Sequence, residues 1–376
     1  WISTATRLAS PNVDVRPDES DISLLVIHNI SLPPGQFGGG HVNELFTNQL
    51  NPNAHPYFAE IADLKVSAHV LIDREGRELL TLETTDVSNL PSDWQWPEPV
   101  SVKGADGETD LYGVIYRPPG FSADQSYPVL DYSCGHPGFT FVPQGSFFNG
   151  PCFDLPYLSG AAYAALGFVV VALEGRGTPY RSKAFHDESY GNMANANNFT
   201  DRISGLKQLA KKYAYMDVDR VGLVGCDGIT GTVRGLLEHP DFYKVGIAMC
   251  LSDARFGYAA VAEQFDGLLA HQNSSADAAY RYGEDHVQAL KGKLLLIQGM
   301  LDTDASTTGT FRLIDALQQA NKDFDMILLP TDGHDMPTYA LRRSWDYLVE
   351  HLLNRQPPSA FPLTTGLDLA IANIAS

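Results

Sequence analysis

Cysteine is scarce, with four in 376 residues: Cys134, Cys152, Cys226 and Cys250. They lie too far apart for a zinc knuckle or a C-x-x-C redox pair, and a chain this long buries enough core to fold without disulfides. They read as free thiols. Basic residues are in deficit as well, 26 Lys and Arg against 45 Asp and Glu, which leaves a formal charge of −19. That excess repels phosphate backbones, so nucleic acid is not an expected partner. No apolar run reaches the roughly 18–20 residues of a membrane span, and no stretch reads as a secretory signal. No membrane partner and a cytoplasmic location are therefore expected. Internal repeats and low-complexity tracts are missing too. The acidity speaks for solubility and not for any particular chemistry.

What is present is ordinary globular composition, 44% hydrophobic and 19% charged, which excludes a disordered or fibrous chain. The length suggests about two domains. Residues 1–80 are dense in His, Asn, Pro and Gly, with strands expected at 23–27 and 66–72 and a helix at 42–49. Residues 81–104 read as a linker, polar and then rich in Pro and Trp. Beyond it the pattern alternates. Apolar strands are expected at 113–116, 129–133, 168–173, 220–224, 245–249, 293–298 and 326–329, with helices at 160–166, 201–213, 231–238, 311–320 and 339–353. Uninterrupted apolar strands alternating with helices define an α/β fold, a mostly parallel sheet covered on both faces, over residues 105–355. A tail follows at 356–376.

Functional groups in such sheets gather at the carboxyl ends of strands. Three strand ends carry reactive side chains: Gly225-Cys226-Asp227-Gly228 before a helix, Gly299-Met300-Leu301-Asp302, and Pro330-Thr331-Asp332-Gly333-His334. Nucleophile turn, then acid, then histidine is the chain order of α/β-hydrolases. In that order a helix start favours an anionic nucleophile, His334 serves as general base, and Asp302 holds its tautomer.

Residues 79–353 resemble the catalytic domain of the S9 serine peptidases, the prolyl oligopeptidase and dipeptidyl peptidase IV group. The stretches DLYGVIYRPPGF (110–121), YPVLDY (127–132), GFVVVALEGRGTPYRSKAFHD (167–187), HPDFYKV (239–245) and GKLLLIQGMLD (292–302) carry the match. The resemblance implies an α/β-hydrolase fold with Asp302 as triad acid and His334 as triad base. The chain departs from that family at the nucleophile, because it contains no G-x-S-x-G motif. The corresponding turn puts either Cys226 or Asp227 in the serine's place. Gly228 supplies the small residue that a strained elbow needs two positions after the nucleophile, which favours Cys226. A thiolate beside a histidine is a competent acyl-transfer nucleophile. Asp227 would suit displacement on epoxides or haloalkanes. The family's Tyr-Gly-Gly-Pro oxyanion turn reads Cys134-Gly135-His136-Pro137 here, which leaves backbone amides near Cys134, Gly135 and Gly228, and the His136 ring, as donors.

Residues 4–78 resemble a second family, the zinc-dependent N-acetylmuramoyl-L-alanine amidases, through SLLVIHNISLPPGQFGGGHVNELFTN (23–48) and NPNAHPYFAEIADLKVSAHVLIDREG (51–76). The resemblance makes His28 a zinc ligand, but the family's later half, with the other ligands, is absent. His41, His55 and His69 fit no zinc spacing, so neither a metal nor any other cofactor is expected. The segment stands where S9 enzymes carry a β-propeller and is expected to act as a partial lid.

The sequence alone favours a hydrolase of small carboxylic esters, acting through Cys226 with His334 and Asp302. Three other readings stand beside it: an Asp227 dehalogenase or epoxide hydrolase, an S9-type peptidase, and a non-catalytic fusion remnant or binding module. The expected partner is a small ester substrate, and a homodimer remains open.

Overall fold

The computed structural model describes residues 32–33, 40–66, 92–132, 136–138, 140–142, 160–191, 193–225, 228–249, 251, 282–334 and 337–363. The chain divides into two units, Trp1–Pro91 and Ser92–Ser376. The strand expected at 23–27, nearly all of that at 66–72, and the end of the tail lie outside the described residues.

In the first unit, α1 (His41–Phe46) and α2 (Phe58–Ile61) close over a small core of Leu32, Leu45, Leu50 and Phe58. The first helix stops short of the expected residue 49 because Asn48 takes a left-handed backbone, φ 58°. His41 hydrogen-bonds Glu44 through Nδ1 at 2.9 Å, and the His55 Nδ1 accepts from the Tyr57 amide at 3.1 Å. Both rings are engaged locally. Among the described residues no three His, Cys, Asp or Glu side chains converge as metal ligands would.

The second unit is built on eight strands: β1 (Glu98–Lys103), β2 (Asp110–Tyr116), β3 (Tyr127–Tyr132), β4 (Val169–Leu173), β5 (Met216–Gly225), β6 (Tyr243–Ala248), β7 (Lys293–Gly299) and β8 (Asp325–Leu329). They form one sheet in the order β1-β2-β4-β3-β5-β6-β7-β8. Its first two pairings are antiparallel and the remaining five parallel. Each of the seven apolar runs expected beyond residue 105 falls on a strand. β1 was not expected, since EPVSVK offers apolar side chains on one face only. An edge strand needs no more, and Pro99 is tolerated there because it lacks only an outward donor.

Side chains alternate between two cores, as the two-residue period of a strand requires. Val129, Val171, Leu294 and Leu296 join one cluster with Leu206 of α5 (Phe199–Lys212) and Leu313 of α8 (Thr307–Gln319). Leu130, Val170, Leu295 and Ile297 join the other with Tyr163 of α3 (Gly160–Ala165) and Leu348 of α9 (Thr338–His351). The helices thus cover both faces, and only the strand ends are left for chemistry.

A charged pair interrupts this apolar interior. Asp131 in β3 is fully buried, and so, to 1% exposure, is Arg202 of α5. The Arg202 Nη2 lies 2.8 Å from the Asp131 Oδ1, and the Tyr243 hydroxyl donates to its Oδ2 at 2.7 Å. Burial, and then the Asp131 charge, push the Tyr243 hydroxyl well above its usual range, so it remains a neutral donor. Nearby, burial lowers His239 from its ordinary 6.5, and its ring packs on Phe199 and Tyr243.

Two outcomes are expected. Asp131→Ala, which strands the Arg202 charge, should cost about 3–5 kcal/mol in urea denaturation; a cost below about 1 kcal/mol would mean that the guanidinium finds water. His239 favours its neutral form when folded, so its contribution is intact above pH 6.5 and is lost as pH falls from there through its lowered folded value. His239→Phe should therefore flatten the acid side of the stability-against-pH curve, and an unchanged slope would contradict this.

Candidate active site

The geometry starts from glycines that let backbones touch. At the end of β7, a Cβ on Gly299 would sit 2.0 Å from the Gly333 carbonyl oxygen and 2.7 Å from that of Asp332. Only glycine permits the two strand-end turns to meet this closely. The Met300 amide donates to the Leu329 carbonyl at 2.9 Å, and the Leu301 amide to that of Asp332 at 3.0 Å. This pressed pair of turns sets Asp302 against His334.

The Asp302 carboxylate meets the His334 Nδ1 at 2.9 Å through Oδ2 and 3.1 Å through Oδ1. The amides of Asp304 and Ala305 also donate to Oδ1, at 2.9 and 2.7 Å. The Asp302 side chain is 2% exposed and that of His334 31%. A carboxylate on Nδ1 holds the proton there, so the neutral ring presents Nε2 as a base. The buried, multiply hydrogen-bonded carboxylate cannot swing away, while the half-open imidazole can meet a substrate.

The turn after β5 is positioned by the same means. A Cβ on Gly228 would lie 2.6 Å from the Met249 carbonyl oxygen and 2.5 Å from a Leu251 methyl, and its amide donates to that carbonyl at 2.9 Å. The chain then runs through a π-turn, Ile229–Val233, into α6 (Arg234–Glu238), where a plain helix was expected from residue 231. π-turns break regular pairing and recur near functional sites. Cys226 and Asp227 lie outside the described residues, as do Cys134 and Gly135. His136 is described: its Nδ1 accepts from the Gly138 amide at 2.9 Å, so this nitrogen caps its own turn.

Sequence reasoning missed two polar groups that brace these turns. Glu174, just past β4, accepts from the Thr140 hydroxyl and from the amides of Phe141 at 2.5 Å and Val142 at 2.9 Å, fastening the segment that follows β3. Gln298 ends an otherwise apolar strand and is buried. A polar residue closing an apolar run is itself a signal, since burial demands partners for it.

A mostly parallel sheet wrapped by helices, with an acid and a histidine at the ends of successive strands, is the α/β-hydrolase class. The prolyl oligopeptidase family model matches residues 157–355, more than half of the chain, and the chain belongs to that family. Human dipeptidyl peptidase 8 is 28% identical over 269 residues, 70% of this chain and 28% of that protein. The crystal structure of Porphyromonas gingivalis dipeptidyl peptidase 4 superposes with a TM-score of 0.59 at 24% identity, covering 75% of this chain and 40% of that one, and so shares the fold. A 76-residue stretch is 60% identical to the 1,6-anhydro-N-acetylmuramyl-L-alanine amidase of Citrobacter freundii, 20% of this chain and 41% of that protein. The chain therefore spans less than half the length of each of these relatives.

These findings overturn the expectation of a carboxylic ester hydrolase working through a Cys226 thiolate. That reading leaned on the missing serine and on a weakened oxyanion turn. The prolyl oligopeptidase family match supports a peptidase instead, and the carboxylesterase assignment falls with it. What stands is a hydrolase of the α/β type. No helix among the described residues is long and apolar enough to cross a membrane.

The glycine contact gives a direct check. Gly299→Ala must push the Asp302 and His334 turns apart, and an overpacking cost of about 1–3 kcal/mol is expected in urea denaturation. An unchanged midpoint would show that the turns yield freely.

Proposed function

We propose that the second unit is a peptidase domain that cleaves peptide bonds, with His334 as general base and Asp302 as its orienting acid. The carrying observation is the buried, amide-braced Asp302 carboxylate on the His334 Nδ1. In this reading Nε2 takes the proton of the attacking group and returns it to the leaving amine, and the imidazolium formed meanwhile is stabilised by Asp302. Membership of the prolyl oligopeptidase family and similarity to proteins named dipeptidyl peptidases support peptides as the substrate class.

Release of a fluorogenic amine from short peptide amides tests this. His334→Ala should lower kcat/KM by roughly 1,000-fold or more, with Asp302→Asn close behind. Equal rates for the wild-type chain and His334→Ala across a peptide panel would sink the proposal.

A further inference from the structure

Gln298 is 1% exposed at the end of β7, in a strand whose other interior residues are aliphatic. A primary amide buried there is costly unless both of its ends find partners. Both do. The Nε2 donates to the Gly299 carbonyl at 2.7 Å and to the Ala305 carbonyl at 3.1 Å. The Oε1 accepts from the Thr310 hydroxyl at 2.6 Å, and Thr310 is itself fully buried in α8.

The placement of these partners matters more than their number. Gly299 and Ala305 are the two ends of the arc that carries Asp302. Ala305 also gives its amide to the Asp302 Oδ1 at 2.7 Å. One side-chain amide therefore ties both ends of the arc together, and one of those ends grips the carboxylate that meets His334. Thr310 fixes the amide from the helix side, so the arc is referenced to α8 as well as to the sheet. A carboxylate held at a reacting histidine must keep its position to within a fraction of an ångström, because misplacement by about 1 Å costs on the order of 100-fold in rate.

We infer that Gln298, braced by Thr310, is a positioning residue for the reaction: through the 299–305 arc it sets where the Asp302 carboxylate meets the His334 ring. This rests on the reading of that pair as base and orienter. An amide that merely satisfied the core would affect folding stability and leave the Asp302–His334 contact as it is.

The test compares Gln298→Met and Thr310→Val, both near-isosteric, with Thr310→Ser, which keeps the hydroxyl. Three quantities are read on the full chain: melting temperature, kcat and KM for a cleaved peptide amide, and the downfield proton resonance of the His334 Nδ1–H, assigned by its absence in His334→Gln. Gln298→Met and Thr310→Val are expected to lower kcat by about 10-fold or more with KM within about twofold, and to broaden or abolish the resonance in folded protein. Thr310→Ser should restore both readouts to near wild type. A fall in melting temperature with kcat and the resonance unchanged would overturn the inference, as would an effect confined to KM. Should Gln298→Met fail to fold, Thr310→Val carries the comparison. If the wild-type chain cleaves no peptide, the peptidase reading fails by itself. The resonance then still decides the positioning role: lost in Thr310→Val it stands, retained it falls.

Discussion

The centre of the sheet is organised around a carboxylate taken out of water. Burying a lone charge costs several kcal/mol, and the cost is recovered only when a counter-charge and hydrogen bonds meet it at close range. Asp131 has both, from Arg202 on α5 and Tyr243 on β6. β5 lies between β3 and β6 in the sheet, so the Tyr243 bond spans the strand that ends at Gly225. A helix and three strands are thereby held in one register by a contact with few alternatives, since any slip would leave a buried charge unpaired. Aliphatic packing supplies most of the driving force but is tolerant of small shifts. The ionic centre is not.

The edge that carries Asp302 and His334 uses the opposite strategy, the removal of side chains. Gly299 and Gly228 stand where any Cβ would collide with backbone, and those contacts bring separate strand ends within reach of one another. Polar braces then hold the turns: two amides on Asp302, the Gln298 amide across its arc, and Glu174 on the segment after β3. Rigid placement of Asp302 and His334 suits the proposed chemistry, because a preorganised partner needs no rearrangement when charge develops.

The family and the chain part company at the nucleophile. The acid and the histidine of the α/β-hydrolase order are in place, while no serine stands in a G-x-S-x-G turn. The chain spans less than half of these relatives, and part of it matches part of an amidase. The departure of the nucleophile turn first suggested ester chemistry. Family membership, resting on residues 157–355 and not on one turn, carries more weight.

Much was legible in the residues. Aliphatic runs such as VVVAL and LLLI, short and set between helical periods, read as strands buried on both faces, and the order of Cys226-Asp227, Asp302 and His334 on strand ends pointed to the hydrolase class. β1 escaped because an edge strand shows little apolar signal, and the π-turn escaped because local periodicity does not separate it from a helix. The partners of Asp131 and Gln298 were out of reach for another reason: Asp131 and Arg202 stand 71 residues apart, and Gln298 and Thr310 lie on a strand and a helix that meet only when folded. The sequence by itself determined which segments are strands, which are helices, and which strand ends carry reactive groups, because those follow from periodicity and chain order. Only the tertiary structure decided which glycines let the turns touch and which buried polar groups hold them, because contact between distant segments depends on packing that no local pattern encodes.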